Sequence, residues 1–196
     1  DDEPTTRQAA GNALARLSEF CEPAETAKAI STLLPLIQKS VDWRKAAIAA
    51  KALGSYPTRD AIDALVRMTG HSIVNVKDNA SLALVDFVNH PDANLNPPVE
   101  TAMLGAMLTD KAKWEYGAKV LGALQSEAVL PQLLTLLKEG DWRTQVNAIQ
   151  AVLDVNARQP VKDKTISDAI IKCTLSRVRQ VHEAANQALR VLTPEE

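Results

Sequence analysis

Three histidines, His71, His90 and His182, and two cysteines, Cys21 and Cys173, are the residues best suited to metal binding or nucleophilic chemistry, and their spacing supports neither. An oxygen-activating metal site draws ligands from more than one helix. The chain offers one adjacent imidazole–carboxylate pair, His182-Glu183. The cysteines stand near opposite ends of the sequence, which in an extended repeat array places them far beyond the ~7 Å Cα limit for a disulfide. Two isolated thiols read as core residues and fit a reducing compartment better than a secreted domain; localisation otherwise stays open. No Cys-x-x-Cys or His-x-x-x-His pair, Gly-rich phosphate loop or nucleophile elbow is present. No catalytic residue, metal ligand or cofactor is therefore assigned.

The residues with the clearest local pattern point to binding. Asp42-Trp43-Arg44 recurs as Asp141-Trp142-Arg143. Asp in a turn before a helix is a good N-cap, because its carboxylate accepts from exposed N–H groups and the helix dipole favours its charge. Asp110 is placed for the same role in the intervening segment. Trp43, Trp114 and Trp142, with Arg44 and Arg143, are candidate partner anchors, since Trp and Arg are over-represented in interface hot spots.

These turns belong to a repeat. A small residue recurs with a second, usually small, residue three positions on and an aliphatic residue directly after it: Ala10, Ala13 and Leu14; Ala49, Ala52 and Leu53; Ala80, Ala83 and Leu84; Gly117, Val120 and Leu121; Ala148, Ala151 and Val152; Ala185, Ala188 and Leu189. The aliphatic anchors are 39, 31, 37, 31 and 37 residues apart. Positions i, i+3 and i+4 form one helical stripe, and small side chains there let a neighbouring helix approach closely. These stripes mark inner helices. Between them, larger apolar residues at helical spacing (33–37, 61–66, 102–108, 130–137 and 166–175) mark outer helices. A two-helix unit of this size cannot bury its apolar faces alone, so units must stack. The prolines and Asn/Asp of Asn89 to Pro98 predict the longest loop.

Composition agrees. Apolar residues make up 46% and aromatics 4%, which favours helices over a β-sandwich. The net charge of −2 supplies no field toward nucleic acid or an anionic membrane, and no apolar run approaches the ~18 residues of a span. The chain begins at Asp1 without an initiator Met, and its first unit supplies only an inner helix from about Thr6 to Phe20, so it is expected to be a single domain over 1–196 excised from or adjoining a longer chain.

Ala49-Ala50-Lys51-Ala52-Leu53-Gly54, Gly117-Ala118-Lys119-Val120-Leu121-Gly122 and the Leu-Pro pairs at 34–35 and 130–131 resemble the HEAT-repeat family, and within it the short repeats related to phycobilisome lyases. The resemblance covers essentially the whole chain. It implies an all-α, right-handed α-solenoid of about six stacked antiparallel helix pairs, with inner helices on the concave face and a ladder of turn Asp and nearby Arg between repeats. On such a face the inner helices would present Lys51, Leu82, Val85, Lys119, Gln150 and Leu153, among residues of both signs. A groove of mixed polarity suits a peptide or protein helix better than a phosphate backbone.

The resemblance also implies alternatives: chromophore-lyase chemistry, metal-dependent hydroxylation of the deoxyhypusine hydroxylase kind, which needs several His-Glu pairs, and nucleic-acid binding of the alkylation-repair kind, which needs a basic face. The cations between Arg158 and Arg190, seven against three acids, are the one local support for the last. The sequence therefore predicts a non-catalytic, protein-binding or scaffolding module with no cofactor, no membrane insertion and no nucleic-acid partner; its partner and oligomeric state stay open.

Overall fold

The computed structural model describes residues 28–33, 35, 42–90 and 95–192, and every regular element among them is helical. The first inner helix expected near residues 6–20, Cys21 and Ala10-Ala13-Leu14 lie outside the described residues. Nine helices are set out here: α1 (Trp43–Leu53), α2 (Arg59–Met68), α3 (Val74–Val88), α4 (Asn96–Thr109), α5 (Trp114–Leu124), α6 (Leu130–Glu139), α7 (Trp142–Arg158), α8 (Lys164–Cys173) and α9 (Arg179–Leu192). Short 3-10 turns precede α5 and α6. The packing divides the described residues into two compact units, with the division inside α4 between Ala102 and Met103.

In the first unit, inner helices α1 and α3 pack on each other and outer helix α2 packs on α3. The six buried positions of α1 are alanines apart from Leu53, and they lie on the stripe expected from the sequence or beside it. In the second unit α5, α7 and α9 are successive inner helices, α6 and α8 are their outer partners, and α6 also packs on α8. The stripe residues Ala148, Ala151, Val152, Ala185 and Ala188 are all buried.

The small residues set how closely inner helices approach. A Cβ on Gly54 would lie 2.9 Å from Ala83 Cβ, and one on Gly122 would lie 2.9 Å from Ala151 Cα. The Gly that follows Leu53 in the first unit and Leu121 in the second thus meets the second small residue of the next inner helix.

Caps fix the helix ends. Asp42 accepts from Arg44 N at 3.0 Å, Asp110 from Ala112 N at 2.9 Å, and Asp141 from Thr144 N at 2.8 Å, as the turn pattern predicted. At the other end of α5, Gln125 takes a left-handed backbone with φ 50°. That conformation costs a non-glycine residue about 1–2 kcal/mol. Glycine's greater loss of freedom on folding takes back part of the gain. Gln125→Gly is therefore expected to stabilise the chain by about 0.5 kcal/mol, seen as a higher urea midpoint at unchanged slope; a lower midpoint would mean the Gln side chain is needed there.

Two expectations need correction. The loop foreseen over 89–98 is shorter, because Asn96-Pro97-Pro98 form the first turn of α4. The first-turn N–H groups have no intrahelical partner in any case, so proline costs nothing there and its fixed φ suits the helix. The outer helix foreseen to Leu175 ends at Cys173, where the Thr174 N–H bonds back to Ile170 and Ile171.

Candidate interaction surface

Trp43 and Trp142 are the first residues of α1 and α7, directly after capping aspartates, and each carries a stacked guanidinium. Arg44 lies 5.0 Å from the Trp43 ring centre and Arg143 lies 4.9 Å from that of Trp142. Neither arginine forms an ion pair with a described acid; each stacks on the Trp of its own turn. A charged link between repeats does exist at 3.3 Å, and its partners are Lys111 and Glu139. Trp43 is half-buried against Ala46, Ala47 and Val76, whereas Trp142 is 40% exposed.

Trp114 departs from the exposed-anchor expectation. It is 6% exposed, and its indole Nε1 donates to the Met107 carbonyl at 2.8 Å, tying α5 to α4. Lys111 covers the ring at 4.6 Å. This Trp is a core residue with its one donor satisfied.

The inner-helix candidates separate by exposure. Leu82 on α3 is 60% exposed, while Val85 and Leu153 are half-buried against their neighbours. Lys51 on α1 is exposed and close enough to act on Asp86 of α3. Desolvation holds the Asp86 carboxyl above its ordinary range, and Lys51 opposes that rise. Asp86 lies one helical turn beyond Leu82, so α3 presents an exposed apolar side chain one turn from a carboxylate that Lys51 of α1 reaches. Asp86 was missed in the sequence reading, although its i+4 spacing from Leu82 was the available signal. In the second unit the Lys119 ammonium sits 4.7 Å from the Tyr116 ring centre, and Gln150 Nε2 donates to Asp154 Oδ1 at 3.0 Å.

The His182-Glu183 pair is engaged in the fold. His182 Nδ1 lies 2.5 Å from the Thr174 carbonyl and Nε2 lies 3.0 Å from Asn186 Nδ2. A carbonyl accepts and an amide nitrogen donates, so this network places the proton on Nδ1 and directs the Nε2 lone pair at Asn186. Glu183 accepts from Arg179 at 2.7 Å. Cys173 is buried, and burial pushes its thiol up, away from the thiolate that nucleophilic chemistry needs. Among the described residues no three His, Cys, Asp or Glu side chains gather closely enough to hold a metal ion. No helix among them is long and apolar enough to cross a membrane.

No family model and no curated protein matches the chain. Solved structures do. An engineered protein aligns with all of this chain and 95% of its own, at 18% identity and a TM-score of 0.54. A second engineered protein is similar over 98% of this chain and 92% of its own, at 21% identity and a TM-score of 0.50. The complex of CpcE and CpcF of phycocyanin lyase from Nostoc sp. PCC7120 is similar over 98% of this chain and 73% of its own, at 16% identity and a TM-score of 0.51. At these identities the likeness speaks to the fold, and the fold is all-α, of the HEAT-like helical-repeat kind.

Proposed function

We propose that the chain is a non-catalytic protein-interaction module that binds a partner through inner-helix and turn residues. The observation that carries this reading is the surface of α3, where Leu82 stands 60% exposed on a helix whose other large apolar residues are mostly buried, one turn from Asp86 and the Lys51 that acts on it. An apolar anchor one turn from a carboxylate that a lysine reaches favours a polypeptide, whose amides and mixed side chains match it, over a uniformly anionic nucleic acid. Trp142 with its stacked Arg143 is a second candidate anchor of the kind that dominates interface energies. Stacked repeats hold such residues on rigid helices, which lowers the ordering cost of binding. The phycocyanin lyase structure is a complex of two chains, which accords with a role in protein association.

Leu82→Glu and Trp142→Ala, made separately, are expected to weaken capture of partners from the source cell about tenfold or more. Leu108→Glu, at a residue 78% exposed on α4, is expected to leave capture unchanged. Quantitative pull-down with folded variants checks this. Equal capture by wild type, Leu82→Glu and Trp142→Ala would refute the assigned surface; salt-sensitive capture of DNA or RNA alone would replace it with nucleic-acid binding.

A further inference from the structure

We infer that a cleft in the second unit, at the ends of its outer helices, is a docking site for an acidic peptide, one of whose apolar side chains fills it. This rests on the interaction-module reading and names a second contact and the chemistry of its ligand.

The cleft holds about 340 Å3 and opens where the C-terminal ends of α6 and α8 meet the start of α7. Its apolar wall includes Leu137 and Leu175, and Leu175, just past the end of α8, is 82% exposed. Gln145 and Cys173 supply its neutral polar lining. Gln145 Nε2 donates to the Leu137 carbonyl at 3.1 Å, and Cys173 Sγ lies 4.0 Å from the same oxygen. That carbonyl is thereby satisfied, and the thiol, held protonated by burial, adds no charge. Ser176 is a further neutral polar group of the lining; apart from its two lysines the wall is uncharged, and Leu137, Ala169 and Leu175 offer apolar contact.

The charged residues that line it are of one sign. Lys138 and Lys172, in the last turns of α6 and α8, both line the cleft, and no carboxylate does. Lysines near helix C-termini complement the dipole wherever they point. What distinguishes these two is that they share one cleft, since other described cations are either paired or, like Arg44 and Arg143, equally without an ion pair to a described acid. Lys111 is paired with Glu139, Lys113 with Asp110, and Arg179 with Glu183. Lys138 and Lys172 form no ion pair with a described residue, although the field of Lys138 reaches Asp163, the N-cap of α8. Two ammonium groups without an ion pair to a described residue, at one cleft that also exposes Leu137, Ala169 and Leu175, match a ligand with an apolar centre and carboxylates on either side. A peptide of the form acidic–aliphatic–acidic has that chemistry, and the volume suits a single leucine-sized side chain with its backbone.

Titration of the full chain, 15N-labelled, with the capped peptide acetyl-Glu-Leu-Glu-amide tests this. The expected result is saturable shifts at the amides of Lys138, Gln145, Lys172 and Leu175 with a roughly millimolar dissociation constant, weakened several-fold between about 0.05 and 0.5 M salt. Lys138→Glu with Lys172→Glu is expected to weaken binding at least tenfold. Leu175→Ser, which keeps both charges, is expected to weaken it about fivefold, so that apolar and ionic contributions are read separately. The inference is overturned if no saturable shifts appear, if acetyl-Lys-Leu-Lys-amide produces the same shifts, or if N-acetylglutamate binds as tightly as the tripeptide, which would make this a plain anion site. Failure here leaves partner capture through Leu82 and Trp142 untouched, and failure of that capture leaves the titration readable.

Discussion

Trp114→Ala is expected to destabilise the chain by about 3–5 kcal/mol, whereas Trp142→Ala should cost about 1 kcal/mol or less. The two side chains differ in burial more than in local sequence. Trp114 is 6% exposed and its indole N–H satisfies the Met107 carbonyl, so truncation opens a void between α4 and α5 and leaves that oxygen without its donor. Both penalties add, since a buried polar group without a partner costs about 1–3 kcal/mol. Trp142 is 40% exposed, and its stacked Arg143 can return to water. Marginal stability of about 5–15 kcal/mol makes the first change a large share of the whole. Urea unfolding followed by far-UV circular dichroism checks both; equal midpoints for the two variants would contradict a core role for Trp114.

Gly122→Leu is expected to lose about 3 kcal/mol, and Gly122→Ala about 1–2 kcal/mol, by overpacking the contact between α5 and α7. Two effects oppose each other in the alanine variant. Replacing a helix-interior glycine gains about 1 kcal/mol of helix propensity. The new Cβ, however, would stand 2.9 Å from Ala151 Cα and 2.9 Å from Asp154 Oδ2, and the first of these is backbone that must move with its helix. The clash therefore wins. Gly117 offers the control in the same helix: its nearest atoms are the sulfurs of Met107 and Met103. Methionine side chains yield readily, so Gly117→Ala should be near neutral. Thermal midpoints of the two alanine variants decide the matter, and stabilisation of both would show that α5 and α7 have room to spare.

The repeat was legible because it is written in local terms. The stripe of small residues specifies helix spacing wherever it occurs, and the capping aspartates specify helix starts. Trp114 was misread as a possible exposed anchor because residue type was weighed ahead of register. Trp43 and Trp142 stand one residue after their capping aspartates, while Trp114 stands four after Asp110, a full helical turn deeper. Pro97 and Pro98 were read as loop residues because a breaker inside a helix and a starter at its first turn look alike until the helix end is located. His182-Glu183 looked like half of a ligand set; only packing shows that Thr174, Asn186 and Arg179 already occupy it. The cleft left one trace in the sequence, the 34-residue spacing of Lys138 and Lys172, close to the repeat period. Which side chains line a shared cavity depends on where two outer helices stop, and periodicity alone carries no such information.

The glycine–alanine contacts also constrain how this sequence can change over time. Gly54 meets Ala83 and Gly122 meets Ala151, both pairs separated by 29 residues, so each pair holds room for one methyl group and not two. The methyl cannot simply change sides, because Ala151 Cα would still stand 2.9 Å from a Cβ at position 122 after Ala151 had lost its own, and Ala83 Cα would stand 3.1 Å from one at position 54. The alanine of each pair can lose its methyl at a cost of about 1 kcal/mol of helix propensity, whereas the glycine is held by the backbone opposite it. Drift at these contacts therefore runs one way, and the glycine is the fixed member of each pair.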